Sequence, residues 1–368
     1  MGEFWRNKNV RLSLVASSML LSAIFVWLGI YLVARNQVIL EKTTTQVILP
    51  VLYKQKPLPI FKTAVEMPRR LDGVLVNRND ANRYPVALMI ENAAFGGVRP
   101  QFGLNAAQLV YEIVVEGGIT RFMAVYSGDF PEKIGPIRSA RATYLEFASE
   151  YDALYGHAGG SPEALQAISG MNVKDLSALS TDARFFKRDV QRESPHNLFT
   201  YASLINYVRR DKNLADNAST YLSWNYKNDT KSTTAPDKDK TVDIDFGSSP
   251  LYNVHYVYNF TNNNYERWNG NELQHDANDN SVLVTKNMII QIVPPGQEAV
   301  DQGRINFSVT GEGSVYIARD GEVIEGTWKK ADRLSRTQFY DKSGQIIQLN
   351  RGNSWVEILP NTGKVSYQ

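Results

Sequence analysis

The 368-residue sequence contains no cysteine. That removes disulfide frameworks, thiolate metal sites, cysteine nucleophiles and iron–sulfur clusters together, along with anchoring through a lipid on an N-terminal cysteine. A charge excess is also missing, since 40 Lys and Arg stand against 38 Asp and Glu for a net charge of +2. Without a basic footprint, nucleic acid is not an expected partner. Histidine occurs four times, with neither the H-E-x-x-H spacing of a zinc site nor the G-x-S-x-G elbow of a serine hydrolase. No metal and no cofactor is expected, and no repeat of fixed period is present.

What the sequence does have is one long apolar run. From Leu12 to Ala34, 23 residues pass without a charge, more than the roughly 20 that cross a bilayer as a helix. The run is longer than a secretory signal core and ends in Leu-Val-Ala-Arg, so it reads as a retained anchor. Arg6, Lys8 and Arg11 precede it and Arg35 and Lys42 follow, which favours an N-inside, single-pass protein of the cytoplasmic membrane with its body outside the cytoplasm. Residues 1–11 are then cytoplasmic, 12–34 the membrane span, and the proline-interrupted segment 35–70 an extended stalk. At about 100–200 residues per domain the rest makes two domains. They are expected at 71–226 and 241–368, on either side of KNDTKSTTAPDKDK at 227–240, a solvated linker.

In the first domain PVALMIEN at 85–92, LVYEIVVE at 109–116 and RFMAVYSG at 121–128 read as strands, the last two facing each other across Gly117-Gly118. Helices are expected at 139–152, 161–169 and 200–211, with Ser161 and Thr200 as N-caps, and ALYGHAGG at 153–160 as a strand entering a glycine turn. Interleaved strands and helices make this an α/β or α+β domain. The second domain alternates in the strand period at 253–260, 281–293, 313–328 with an Asp320-Gly321 turn, 345–350 and 353–359. It is expected to be mostly antiparallel β.

Charged groups interrupt the apolar strands of the first domain, which makes it the place to look for chemistry. A two-residue turn at Gly117-Gly118 sets Arg121 opposite Val114 and diagonal to Glu112 and Glu116. The resulting cluster is either an acid/base carboxylate or an ion-pair network. Arg138 and Arg141 sit three apart at an expected helix start, where cations oppose the helix dipole. They either grip an anion or pair with acids such as Glu112 and Glu116. His157, Gly159, Gly160 and Ser161 form a turn into a capped helix, a weak anion-cradle signal. His196 and Asn197 stand before another helix, and His157 or His196 with Ser161 has no third triad member. Tyr256, Tyr258, Tyr265, Trp268, Trp328 and Trp355 either stack on sugar rings or fill a β core.

RPQFGLNAAQLVYEIVVEGGITRFMAVY, IGPIRSAR, EYDALYGHAGGSPEAL and SPHNLFT, followed by NMIIQIV, DQGRINFSVTGEGSVYIARDGEVIEGTWKK and GNSWVEILP, resemble the YerB-like family of bacterial envelope lipoproteins. The two-part extracytoplasmic region of that family is a domain of unknown function. The resemblance covers nearly everything from Leu71 to Pro360 and implies location and architecture rather than activity. Family members are tethered by a lipid on an N-terminal cysteine, which this chain replaces with a long apolar span. Residues and resemblance together point to a membrane-anchored binding protein for an anionic or sugar-containing cell-wall ligand, held by Arg121, Arg138, Arg141 and the turn at His157. The alternatives are a glycan-cleaving enzyme using Glu116 or Glu112 as general acid/base and a scaffold for other envelope proteins.

Overall fold

A computed structural model of the chain describes residues 17, 21–35, 66–214, 221–298 and 303–368. The expected cytoplasmic segment, nearly all of the expected stalk and part of the expected membrane span lie outside those residues. Of the span, the structure describes Ser17 and a helix, α1 (21–35), whose residues are all exposed. Among the described residues no helix is long and apolar enough to cross a membrane. Residues 63–368 form one compact unit.

Its N-terminal half supplies β1 (Val86–Glu91), β2 (Leu109–Val114), β3 (Thr120–Tyr126), α2 (Ala142–Glu150), β4 (Leu154–His157), α3 (Pro162–Gly170), β5 (Lys174–Ser177) and α4 (Ala202–Asp211). Every residue of β1, β2 and β3 is buried. Such strands are covered on both faces, which is why they read as near-continuous apolar runs. β3 lies antiparallel to β1 and β2, whereas β1, β4 and β5 run parallel. α3 starts where expected, with the Ser161 hydroxyl accepting the Ala164 N–H and Pro162 in the first turn. Thr200 does not cap α4, because it belongs to a short strand, Leu198–Tyr201, and its hydroxyl donates to the Phe185 carbonyl.

The C-terminal half supplies β6 (Thr241–Asp245), β7 (Val254–Asn259), β8 (Asn264–Asn269), β9 (Asn287–Val293), β10 (Gly311–Arg319), β11 (Glu322–Lys330), β12 (Gln338–Asp341), β13 (Ser354–Pro360) and β14 (Lys364–Tyr367). Asp320 and Gly321, both at positive φ, turn β10 into β11 as expected. β14, β6, β7 and β8 are neighbours in a smaller antiparallel sheet.

The exception to the mostly antiparallel pairing of the C-terminal half is β13, which runs parallel to β9 on one side and to β2 on the other. The two sequence halves therefore share one ten-stranded sheet, in the order β12-β11-β10-β9-β13-β2-β3-β1-β4-β5. All seven residues of β13 are buried, so this strand has no solvent face and needs a neighbour at each edge. The segment expected as a free linker is attached at its start. Tyr226–Lys227 pairs with Leu349–Asn350, and the Lys227 ammonium donates to Asp320 at 2.6 Å and Asn350 at 2.7 Å.

Candidate functional site

The register of the β2–β3 hairpin decides which charged groups meet. Ile113, not Val114, stands opposite Arg121, because the Val115 N–H donates to the Ile119 carbonyl and closes a three-residue loop, Glu116 to Gly118. A slip of one residue turns a side chain to the other face of the sheet. Glu112 and Arg121 therefore point to opposite sides, and the expected Glu-Arg-Glu cluster is split.

Glu116, past the strand end, escapes the alternation and meets Arg121 and Arg141. Arg121 Nη2 donates to it at 2.9 Å, Arg141 Nε at 2.7 Å, and Arg141 Nη2 adds a third bond. Burial pushes the Glu116 carboxyl up, but the hydrogen bonds and charges of the two guanidinium groups outweigh it and hold the pKa at about 2. Such a group has no proton to give at neutral pH. The same guanidinium groups also donate to the Ser139 and Ala140 carbonyls. Arg141 is the N-cap residue of α2, whereas Arg138 lies before the helix in extended chain, its N–H on the Met89 carbonyl.

Glu112 is wholly buried. It accepts from Asn92 at 3.2 Å and from Thr120 and Arg267, and its direct partner across the parallel ladder is another buried acid, Glu357. Tyr256 donates to Glu357 at 2.6 Å, and the Arg267 guanidinium lies 4.3 Å from the Trp355 ring centroid. Burial, together with the negative charge on Glu112, pushes the Glu357 carboxyl well above its usual value. The cluster bonds β2, β8 and β13 together inside the core. A carboxylate sealed in this way reaches no substrate, so neither glutamate supports the glycan-cleaving alternative. Glu357 has a sequence signal, a lone charge within a strand otherwise rich in aromatic and aliphatic residues, whereas the strand of Arg267, NYERWN, is polar and gives none.

The turn residues have packing roles. His157 is buried with Nδ1 at 2.6 Å from the Gly159 carbonyl and Nε2 at 2.7 Å from Asp175. A Cβ on Gly159 would come within 3.0 Å of Leu179, and one on Gly160 within 3.1 Å of Leu165. Ser161 is consumed by its cap. Asn197 accepts from Arg188 at 2.6 Å and donates to the Asp189 and Arg192 carbonyls, stapling its own loop.

Arg138 and His196 do come together, on a residue the sequence did not single out. Glu91, at the carboxyl end of β1, lies 3.2 Å from Arg138 Nε and 3.0 Å from His196 Nδ1. The loop 93–99 crosses this pair so closely that a Cβ on Gly96 would sit 2.8 Å from His196 Nε2. Phe95 meets the imidazole edge-on at 6.1 Å.

Beyond the loop is a groove of about 380 Å³ lined by Phe95, Val98, Arg99, Leu251, Asn271 and Glu272 among others. Phe95 and Leu251 are each 59% exposed. Arg99 donates to the Asn92 side chain at 3.1 Å and to the Asn92 and Leu251 carbonyls at 3.1 and 3.3 Å. Those hydrogen-bond partners are neutral, and the Glu112 and Glu272 charges act on it from further away. Burial and the like charge of Arg267 lower its pKa to about 10. Among the described residues, no three His, Asp or Glu side chains group as metal ligands.

Models of a family described as a protein of unknown function, DUF3048, match the chain twice: its N-terminal domain over 71–218 and its C-terminal domain over 242–356. A Bacillus subtilis (strain 168) protein named "Putative lipoprotein YerB" is 27% identical over 307 residues, covering 83% of this chain and 89% of the relative. The crystal structure of YerB from Bacillus subtilis superposes with a TM-score of 0.70 at 25% identity, covering 81% of this chain and 98% of that one.

Proposed function

Because the chain belongs to the YerB-like family, carrying both parts of DUF3048 in order, we propose that it is a membrane-attached, extracytoplasmic binding protein of the bacterial envelope. Its ligand is an anionic or sugar-containing cell-wall component. The attachment is the apolar run at 12–34, part of which is the exposed helix α1, and the cations before it keep the N-terminus inside. A relative named as a lipoprotein supports the same placement by another tether.

One observation carries the binding reading. Arg99 is a half-buried cation in a groove, held by neutral carbonyls, with no ion pair to it among the described residues. Burying a charge is costly unless it is paired, and a carboxylate or phosphate on a ligand completes the arrangement through a charge-assisted fork. The groove replaces the expected site, since Arg121 and Arg141 have Glu116 and Arg138 has Glu91.

The test is titration of the full chain with soluble teichoic-acid and peptidoglycan fragments. Arg99→Ala is expected to weaken binding tenfold or more, the scale of one lost charged hydrogen-bond set, while Arg121→Ala leaves affinity unchanged. Equal affinity for Arg99→Ala and the parent refutes the reading. Incubation with purified sacculi is expected to release no soluble product.

A further inference from the structure

One face of the smaller sheet is open, and its outward side chains line up. On β7 and β8 burial alternates, so that Tyr256 and Arg267 point into the core while His255 and Trp268 point out. The pairings Asp243 with Ser366, Asp243 with His255, and His255 with Trp268 set these four in one row across four strands. At about 4.8 Å per strand the row is roughly 14 Å long. A groove of about 580 Å³ lies on it, lined also by Asn253, Asn271 and Lys364. Of the six aromatics noted for sugar stacking, Tyr256, Tyr258, Tyr265, Trp328 and Trp355 are buried. Trp268 is the one that lines a groove.

The polar lining is arranged as well as open. His255 Nδ1 lies 2.7 Å from an Asp243 oxygen, which fixes both groups. With side chains 35% and 53% exposed, they keep the other imidazole nitrogen and the other carboxylate oxygen for an incoming molecule. On two of the lining residues, Trp268 Nε1 and Asn253 Oδ1 are buried with no hydrogen-bond partner. A pyranose ring has an apolar C–H face and a rim of hydroxyls that both donate and accept. An indole face beside a carboxylate, an imidazole and amides matches that division.

We propose that this groove binds a sugar ring of an envelope glycan, stacked on Trp268, with its hydroxyls on Asp243 and His255. Gly270 and Asn271 line both this groove and that of Arg99, so an acidic glycan runs from one to the other. That joint occupancy rests on the binding reading above, whereas the sugar site stands on its own lining.

The experiment titrates the full chain, followed by calorimetry, with a neutral β-1,4-linked N-acetylglucosamine tetramer and with glycan strands released from sacculi. Trp268→Ala is expected to lower affinity for the tetramer at least tenfold. Asp243→Ala, at an exposed position that leaves folding intact, lowers it severalfold. Lys329→Ala, at an exposed position on β11 outside both grooves, leaves tetramer binding unchanged. Absence of binding to both probes, or equal affinity for Trp268→Ala, Asp243→Ala and the parent, overturns the proposal. Loss of anionic-polymer binding in Arg99→Ala without any tetramer binding sinks the sugar site alone, and the reverse pattern sinks the anion reading alone.

Discussion

Replacing Glu357 by Gln tests the electrostatics of the core most sharply. Burial and the neighbouring Glu112 charge raise the Glu357 carboxyl well above 4.5, so the folded protein holds a proton there that the unfolded chain has released. A raised carboxyl contributes stability that is fully present below about pH 4.5 and is lost as pH rises through the folded value. The slope is about 1.4 kcal/mol per pH unit for one proton. As pH rises above about 4.5 the parent should thus lose stability through this group. Gln keeps the volume, still accepts the Tyr256 hydroxyl hydrogen bond and does not titrate. Urea unfolding at several pH values should show the variant gaining on the parent as pH rises above about 4.5, at a slope of at most about 1.4 kcal/mol per pH unit. Arg267→Met serves as the contrast. It strands the buried Glu112 carboxylate and should cost about 3–5 kcal/mol. Parallel stability curves for the parent and Glu357→Gln refute the reasoning.

Three further outcomes follow from the same structure. Glu116→Gln releases two guanidinium groups and should cost about 2–3 kcal/mol at pH 7. Since a lowered carboxyl gives stability that is present above about pH 4.5 and lost as pH falls toward 2, the difference from the parent should vanish in acid, with ligand affinity unchanged throughout. Gly96→Ala forces a Cβ to 2.7 Å from His196 Cδ2 at a φ of +67°, and a lower thermal midpoint, from a loss of about 1–3 kcal/mol, should report the strain. Protease added to intact cells should degrade the body of the protein, and survival of residues 66–368 counts against the extracytoplasmic placement.

The strands of the central sheet were legible because burial on both faces leaves near-continuous runs of Val, Ile, Leu, Met, Tyr and Phe, and α3 was legible because Ser161, Pro162 and Glu163 mark its first turn. What failed was register and partnership. One additional loop residue between β2 and β3 moved Arg121 from the face of Glu112 to the opposite one, and local sequence does not reveal that difference. The joining of the halves through β13 was hidden for another reason. A seven-residue apolar strand with one glutamate pairs equally well in either direction, and its partners lie far away in the chain. The site followed the same rule. Arg138 and His196 do meet in the structure, but on Glu91, which looked like the end of a strand, and Arg99 carried no mark of its groove. Trp268 could be separated from five buried aromatics only by the face it occupies.

Hydrogen–deuterium exchange of the full chain with and without soluble acidic glycan strands should show new protection at 94–99, 251–255 and 268–272, the two grooves and the turn between them. Protection confined to the Glu116–Arg121–Arg141 cluster, or none anywhere in 66–368, contradicts glycan binding in those grooves.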